Sequence, residues 1–396
     1  MRIALIADAY PPMRTSAAVQ LRDLSRELVA QGHGVTVMIP DAHLSRDWAL
    51  EELDGVNVLR LKAPPTKDVG LVRRTINECL MPAAMLRNLR CSPLAHAAWD
   101  GVVWYAPSIF LAPVAKSLKK ANGCRSYLIV RDIFPQWALD MGLLRRGLPY
   151  AFFKAVERYQ YSVADVVGVQ THGNLRYFER WAAAEGRRVE VLHNWLSDAP
   201  VVGCSISVAD SPLAGRVIFV YAGNMGVAQG MGILLDLAER LRGRRDIGFL
   251  FVGRGSDAES LRAAATSRGL SNVLFHGEIE PEEIPGLYAQ CDIGLVALDA
   301  RHRTHNIPGK FLSYMQSGLP VLASINAGND LATLVESEKV GLVATDHRVE
   351  SLQRLAEALV NELKLDHAYP ARCQTLSSRL FSAPIAAAQI HRALLR

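Results

Sequence analysis

Residues 217–255, VIFVYAGNMGVAQGMGILLDLAERLRGRRDIGFLFVGRG, contain the pattern that decides the fold of this chain. An apolar run at 217–222 is followed by a glycine-rich turn, an amphipathic stretch over 233–241 and a second apolar run at 247–252. Short continuous apolar runs are typical of buried parallel strands, and a period near 3.6 between them is typical of a helix. The segment therefore predicts one β/α/β unit of a parallel α/β sheet.

The same alternation continues on both sides of this unit. Downstream, a helix over Ala258–Arg268 precedes VLFHG, a short helix near Ile284–Ala289 precedes DIGLVAL, and a helix from Pro308 precedes GLPVLAS. Upstream stand RIALIA, a helix over Ala17–Ala30, GVTVMIP, DGVVWY, a helix near Pro113–Ala121 and YLIVRD. We expect two Rossmann-like β/α/β domains whose sheets face each other across a central cleft, with the ligand in that cleft.

The segment 194–215 has no helical or strand period and is rich in Ser, Pro, Gly and Asp, as linkers are. We place the domain boundary near residue 200, with a first domain over 1–200 and a second over 201–379. A length of 396 residues with 50% hydrophobic and 21% charged residues agrees with two or three globular domains and excludes collagen, coiled coil and disorder.

The cysteine pattern and the apolar runs predict a cytoplasmic protein. The six cysteines show neither C-x-x-C nor a zinc-ligand spacing, which is typical of reduced thiols. The N-terminal apolar run is too short for a signal peptide. The longest apolar region, 101–115, contains two prolines and is too short to span a bilayer.

The chain has a net charge of +5, and its excess of basic residues lies in the first half, where 25 Lys and Arg stand against 19 Asp and Glu in residues 1–200. Within 71–90, four arginines surround Leu80, Met81, Met85, Leu86 and Leu89; they are Arg73, Arg74, Arg87 and Arg90. This segment lies on an anionic surface or is an ordinary basic helix packed on the core, and the sequence leaves both open. Nucleic acid is disfavoured, because no aromatic residues alternate with the basic ones.

Several chemistries lack their motifs. The chain has no P-loop, no G-x-S-x-G and no Asp-x-Asp. His302 and His305 form H-x-x-H, but further ligands are missing and two arginines adjoin them, so we expect no metal.

Gly253, Gly255 and Ala258 match G-x-G-x-x-A, with Glu278 about 20 residues further on, which is the spacing of a dinucleotide site. The fingerprint normally follows the first strand of its unit, whereas here an earlier strand, VIFVYAG, precedes it. A tight turn between strand and helix explains these glycines equally well.

Two segments predict an anion site. In YAGNMGVAQGMG, Gly223 and the later glycines allow close backbone approach, and the following helix directs N–H groups outward. In THNIPGKFLSYMQSGLPVLAS, Pro308 suits the first helical position, so the N–H groups of Gly309 and Lys310 and the Lys310 ammonium can hold a diphosphate. The alternatives are a glycine-rich loop without ligand and a helix cap with a solvated lysine.

With these segments in view, the chain resembles the family 4 glycosyltransferases of the GT-B fold over nearly its whole length. The resemblance depends on AYPP with RELVAQGHGVTV, RDIFPQWALDMGLL, VLHNW, YAGNMGVAQGMGILL, FVGRGSDAESL, NVLFHGEIEPEEIPGLYAQCDIGLVAL and IPGKFLSYMQSGLPVLAS. It is most similar to the WbuB-like branch. That branch implies transfer of a sugar, often an N-acetylated deoxy sugar such as N-acetyl-L-fucosamine, in O-antigen, capsule or lipopolysaccharide assembly.

The resemblance implies a UDP-linked or other nucleoside-diphosphate donor, no cofactor and no metal, and retention of anomeric configuration. The acceptor would be a lipid-linked saccharide or lipopolysaccharide core, reached by peripheral contact with the anionic inner membrane. A helix near 380–396 would pack back on the first domain. The donor residues would be Gly223, Asn224, Gln229, Arg254, Glu278, Ile279, His305, Pro308, Gly309, Lys310 and Ser313, and the catalytic residues Asp132, Arg131 and Lys310.

The chain departs from the family pattern in three places. His305 and Ser313 stand where two glutamates are common, Asn224 and Gln229 replace the Arg and Lys of the phosphate loop, and Arg131 with Asp132 stands where a histidine often precedes an acid. Asp132 either orients the acceptor or only holds Arg131. Two other classes of function remain open: a nucleotide-sugar epimerase or NAD enzyme, and an inactive scaffold of a polysaccharide assembly complex.

Overall fold

The structure is a computed structural model that describes residues 1–13, 15–198, 203–301 and 307–395. It divides into two compact units, one formed by Met1–Trp195 and the residues from Ala383 onward, the other by Leu196–Ser382. Each unit is an α/β sandwich with its own sheet and cores on both faces of that sheet. The predicted fold class, with two Rossmann-like units, is confirmed.

The first unit is built on an eight-stranded sheet in the order β3-β4-β2-β1-β5-β6-β7-β8. Its strands are β1 (Arg2–Ile6), β2 (Gly34–Asp41), β3 (Trp48–Leu53), β4 (Val56–Lys62), β5 (Gly101–Ala106), β6 (Arg125–Val130), β7 (Val166–Val169) and β8 (Arg188–Val191). Among the strand pairs of the described residues, only that of β3 with β4 is antiparallel in this sheet, and Ile3 of β1 pairs with both Val35 and Gly101. The order reverses between β1 and β5, which is where such sheets bind ligands at their carboxyl edge.

The helices that connect these strands are α1 (Ser16–Ala30), α2 (Leu71–Arg90), α3 (Ala112–Asn122), α4 (Gln136–Asp140), α5 (Leu148–Val163) and α6 (Glu179–Ala182), with a 3-10 turn at His172–Phe178. Thr15 caps α1 by accepting a hydrogen bond from the N–H of Ala18. The spacing of Leu21, Leu24 and Leu28 turns one side of α1 into the core. Helices α2 and α3 pack together, as do α3 and α5, on the opposite face of the sheet.

The second unit has a six-stranded parallel sheet in the order β11-β10-β9-β12-β13-β14. Its strands are β9 (Val217–Ala222), β10 (Ile247–Val252), β11 (Val273–His276), β12 (Ile293–Ala297), β13 (Val321–Ser324) and β14 (Gly341–Ala344). Its helices are α7 (Gly232–Arg240), α8 (Ala258–Ser267), α9 (Ile284–Tyr288), α10 (Gly309–Gln316), α11 (Asp330–Glu338), α12 (Val349–Leu365) and α13 (Tyr369–Leu380), with 3-10 turns at Val227–Gln229 and Pro281–Glu283.

The division between the units follows Trp195, slightly before residue 200. Part of the segment that was interpreted as a linker belongs to the second unit, since Ile206, Val208 and Leu213 lie in its core. The Gln290 side chain holds this segment through the N–H of Val208 at 2.9 Å. Buried apolar residues and the Gln290 contact explain why a stretch without regular period is nevertheless folded.

The last helix, α14 (Ala383–Leu395), belongs to the first unit. It packs against α1 and covers the same face of the sheet, with Ile390 and Leu394 in the core. Gln389 donates hydrogen bonds to the Glu190 carboxylate at 2.8 Å and to the carbonyl of Val191 at 2.9 Å. The first unit is therefore discontinuous in sequence.

All six cysteines are free thiols. Across the described ranges, no helix is both long and apolar enough to cross a membrane.

Candidate functional site

In the second unit, the strand order reverses between β9 and β12, and the predicted anion-binding segments lie in the connections that follow these two strands. The turn 223–231 follows β9, and α10 follows β12 in the chain. The N–H of Asp299, just beyond β12, donates to the carbonyl of Ala228 in that turn at 3.0 Å. Parallel topology thus brings the two segments together at the edge where ligands of such sheets bind.

Gly253 and Gly255 are required by the packing of two adjacent turns. Both have positive φ, +137° and +154°. A Cβ on Gly253 would lie 2.1 Å from the carbonyl oxygen of Gly223, and one on Gly255 would lie 2.2 Å from that of Met225. The turn after β9 therefore packs directly on the turn after β10, which accounts for the G-x-G spacing without a dinucleotide.

The polar side chains of the turn after β9 bind each other. Asn224 Nδ2 donates to Gln229 Oε1 at 3.1 Å, and the N–H of Gly226 donates to the same oxygen at 3.0 Å. The Tyr221 hydroxyl donates to the Asn224 carbonyl at 2.6 Å. These bonds hold the turn in one conformation, and Gly223 and Asn224 are exposed at its start.

Lys310, in the first turn of α10, lies beside this loop. Its Nζ is 4.3 Å from the centre of the Tyr221 ring, and its Cε would be 3.6 Å from a Cβ on Gly223. Among the residues that the structure describes, no carboxylate pairs with Lys310. The ammonium therefore lies over a ring face at the start of α10, where the N–H groups of Gly309 and Lys310 precede the first intrahelical donor, a combination that suits an anion.

The prediction that Pro308 is the first helical residue is wrong by one position. Pro308 is the N-cap, with φ −61° and ψ 142°, and α10 begins at Gly309. Its extended ψ keeps it outside the helix, while its carbonyl accepts the first helical hydrogen bond from Phe311 at 2.9 Å. The N–H groups of Gly309 and Lys310 still precede the first donors that bond within the helix.

The other predicted donor residues are distributed along the same edge. Arg254 pairs with Glu278 at 3.1 Å, with the arginine side chain 74% exposed. Ile279 is half-buried against the core, and Ser313 lies one turn after Lys310 on α10, also half-buried. His305, like His302, lies outside the described residues.

Tyr221 is a residue that the sequence analysis missed. It ends a buried strand, so its pattern indicated only core packing. Tyr314 was missed as well: its hydroxyl donates to the carbonyls of Val220 and Leu295, on β9 and β12, at 3.0 and 3.2 Å. This buried hydroxyl ties α10 to the two strands that flank the reversal of strand order.

In the first unit, Arg131 is buried at the carboxyl end of β6. Its Nη1 donates to the Leu192 carbonyl at 2.6 Å and its Nη2 to the His193 carbonyl at 3.3 Å. The guanidinium lies 4.7 Å from the centre of the Trp195 ring, and burial lowers the pKa of Arg131. Arg131 therefore joins β6 to the chain after β8, and the half-buried Asp132 beside it stands at the edge of the sheet.

Asp8 is a second acid at this edge that the sequence analysis did not assign to a site. It follows β1, next to the reversal of strand order, and burial raises the pKa of its carboxyl, while the charges of Lys67 and Arg74 oppose that rise. The sequence signal that could have identified Asp8 is its position directly after the apolar run of β1.

The four arginines of α2 do not act alike. Arg73, Arg87 and Arg90 are exposed, whereas Arg74 binds Glu78 through its Nε at 2.9 Å. Of the surrounding apolar residues, Met81, Met85 and Leu89 are buried in the core, as an ordinary packed helix requires. Leu80 and Ile76 are each 54% exposed, and Leu71 and Val72, at the start of the helix, are 81% and 76% exposed. Thus α2 both packs on the core and exposes an apolar and basic surface.

Within the part of the chain that the structure describes, no group of three His, Cys, Asp or Glu side chains is arranged to hold a metal ion.

Comparisons with known proteins agree with this architecture. Residues 15–195 match the profile of a glycosyl transferase 4-like domain, and residues 216–362 match that of the glycosyl transferases group 1. The chain therefore belongs to the GT-B glycosyltransferases, with one profile in each unit.

Individual relatives are distant. The chain is 23% identical over 358 residues to WcaI of Escherichia coli (strain K12), a glycosyl transferase assigned to colanic acid biosynthesis, covering 85% of this chain and 86% of WcaI. Sucrose-phosphate synthase of Thermosynechococcus elongatus superposes with a TM-score of 0.74 at 15% identity over 99% of this chain and 98% of that protein. Anabaena HepE, solved with UDP and glucose, superposes with a TM-score of 0.69 at 16% identity over 100% of this chain and 99% of HepE. At these identities the structural likeness concerns the fold.

Proposed function

We propose that this glycosyltransferase moves a sugar from a nucleoside-diphosphate donor, UDP-linked, to a lipid-linked saccharide or lipopolysaccharide acceptor, without a metal and with retention of configuration. The observation that carries the proposal is the position of Lys310 beside Gly223 and the start of α10, where the strand order of the second unit reverses. HepE, a protein of the same fold, was solved with UDP, which supports this choice of base.

The donor diphosphate would lie between the turn after β9 and the start of α10. Negative charge grows on the diphosphate as the bond from sugar C1 to its oxygen breaks, and fixed cations and N–H dipoles stabilise it. Lys310 and the N–H group of Gly309 would supply this stabilisation, while Gly223, whose N–H already donates to the carbonyl of Val252 at 2.9 Å, would only allow the phosphate to approach the backbone. Arg254 would turn from Glu278 to the phosphate, which its exposure permits, and Ser313 would bind the ribose.

Retention would follow from attack on the same face from which the diphosphate leaves. The acceptor oxygen bonds to C1, the bond from C1 to the phosphate oxygen breaks, and the acceptor proton passes to the departing phosphate. No protein nucleophile is needed, so a site without paired carboxylates is sufficient.

The first unit would bind the acceptor. Asp132 would orient the acceptor hydroxyl, and Arg131 would act as a positioning residue, because its guanidinium is buried on two carbonyls and a tryptophan ring. The WbuB-like resemblance and the assignment of WcaI to colanic acid biosynthesis support an exopolysaccharide or O-antigen pathway, with an N-acetylated deoxy sugar as the group transferred.

Donor binding is tested by thermal unfolding with UDP, GDP, dTDP, ADP and NAD. A ligand at a hundred times its dissociation constant adds about 2.7 kcal/mol to the free energy of unfolding. We expect UDP to stabilise the chain, Lys310→Ala to abolish this gain, and Lys364→Ala, an exposed lysine of α12, to retain it. Stabilisation by NAD alone would favour an oxidoreductase, and stabilisation by no nucleotide would favour a scaffold. Anomeric coupling constants of donor and product in NMR spectra test retention.

Membrane contact through α2 is tested by flotation with anionic vesicles. Arg73→Glu, Arg87→Glu and Arg90→Glu together should weaken binding, since each cation near an anionic surface contributes about 1 kcal/mol. Unchanged binding would contradict a role of α2 at the membrane.

A further inference from the structure

The helices on one face of the first sheet form a layer with a strongly basic composition. Helices α2, α3 and α5, which pack side by side in that order, carry four, three and two basic residues and one, none and one acidic residue. Both acids are neutralised within the layer, because Glu78 pairs with Arg74 and Glu157 with Lys154. On the other face of the sheet, α1 carries two arginines, one aspartate and one glutamate.

The segment from the end of α4 into α5 adds large exposed apolar side chains to this charge. Leu143 is 68% exposed, Leu148 88% and Phe152 42%. Arg145 and Arg146, both exposed, stand between the two leucines. An exposed leucine alone is ordinary, but three large exposed apolar residues within ten positions, in a segment whose only charged residues are two arginines, make this segment amphipathic.

Strand topology places this surface at a defined end of the sheet. Helix α5 connects β6 to β7, and those strands are parallel, so α5 begins at their carboxyl end. Helix α2 likewise begins at the carboxyl end of β4, which is parallel to β2. The exposed ends of both helices, at Leu71 and Leu148, therefore lie at the edge that also carries Asp8 and Asp132.

The charge of the layer selects one occupant for this surface. In α2, α3 and α5, every charged side chain that is not paired within the layer is basic. Docking of an apolar protein face would not need this excess of positive charge. An anionic bilayer accounts for both features, since its headgroups attract Arg and Lys while its acyl region accepts Leu and Phe.

We propose that the segment Leu143–Phe152 inserts into an anionic bilayer and, together with the outer sides of α2 and α3, docks the carboxyl edge of the first sheet at the membrane surface. This inference rests on the proposed function, because an acceptor carried by a lipid would be bound at the membrane surface. Leu143, Leu148 and Phe152 enter the headgroup boundary, and Arg145 and Arg146 bind lipid phosphates.

The test is flotation of the full chain with vesicles of phosphatidylglycerol and phosphatidylcholine, and with vesicles of phosphatidylcholine alone. We expect binding to the anionic vesicles only. Leu143→Asn, Leu148→Asn and Phe152→Asn combined should lower the partition coefficient at least about tenfold, and so should Arg145→Glu with Arg146→Glu. The matched controls in the second unit, Leu365→Asn and Arg242→Glu with Arg245→Glu, should bind as the wild type does.

Three results would overturn the inference: equal binding of the Asn variant and wild type, equal binding to neutral vesicles, or a dimer in light scattering that Leu148→Asn dissociates. Stabilisation by UDP is measured on the same variants as a separate readout. A chain that UDP stabilises but that ignores vesicles contradicts the docking surface and leaves sugar transfer intact. A chain that binds vesicles through Leu143–Phe152 but no nucleotide supports the surface and contradicts the transferase.

Discussion

Substitution of Gly253 tests why a glycine is needed at this position. The structure indicates contact between the turns after β9 and β10, and not the binding of a dinucleotide. In Gly253→Ala the new Cβ meets the Gly223 carbonyl at 2.1 Å and φ stays near +137°, so backbone must shift. We expect a loss of about 2–3 kcal/mol in the free energy of unfolding and a loss of UDP stabilisation. Urea unfolding measures the first, with Gly277→Ala as the control, since nothing lies within 4 Å of a Cβ there. An unaffected Gly253→Ala would show that the turns can separate at little cost.

Asp8 tests the electrostatics of the first unit. Burial raises the pKa of its carboxyl in the folded state, so the charged form is penalised there relative to the unfolded chain. Asp8→Asn removes this penalty. The free energy of unfolding of Asp8→Asn minus that of the wild type should rise as the pH increases from about 3.9, the pKa of the unfolded state, to the higher pKa of the folded state. Above the folded pKa the difference should stay constant. Urea titrations from pH 4 to 8 measure this difference, and a difference that falls with pH would contradict the assignment.

At the scale of elements, α14 offers two adjacent leucines in opposite environments. Leu394 is 4% exposed and packs on β5, where a Cβ on Gly101 would lie 2.7 Å from its Cδ1, while Leu395 is 63% exposed. We expect Leu394→Ala to cost about 2–5 kcal/mol and Leu395→Ala less than about 0.5 kcal/mol. Chemical denaturation compares the two. Equal costs would mean that α14 does not stabilise the first unit.

The elements that the sequence predicted well are those buried on both faces of the sheets. Strands β9, β10 and β12 are continuous apolar runs, so their pattern alone identified them. The hairpin of β3 with β4 was missed, because β3 is a half-exposed edge strand without a continuous apolar run.

The site was predictable only as far as local sequence determines it. Turn and helix-start chemistry predicted Lys310 and Gly223 as site residues. Tyr221 beneath the lysine was not, since the contact depends on how α10 packs across β9. The role of Arg131 likewise depends on carbonyls 61 and 62 residues away.

For the whole molecule, the two units have separate cores, so unfolding should proceed in two steps. UDP should raise the midpoint of one step and Leu394→Ala should lower that of the other, because the nucleotide and the leucine belong to different units. Differential scanning calorimetry with both perturbations tests this. A single transition that both perturbations shift equally would show that the units unfold as one.

The return of α14 to the first unit has a consequence for how the protein is made. The ribosome releases residues 1–195 long before it has polymerised residues 383–395, so the nascent first sheet lacks the helix that covers Leu5, Val103 and Ile129. The second unit is complete in sequence by Ser382 and can fold during that interval. A stalled or prematurely terminated chain would thus present a finished second unit and an uncovered apolar face on the first, a state that chaperones and proteases recognise.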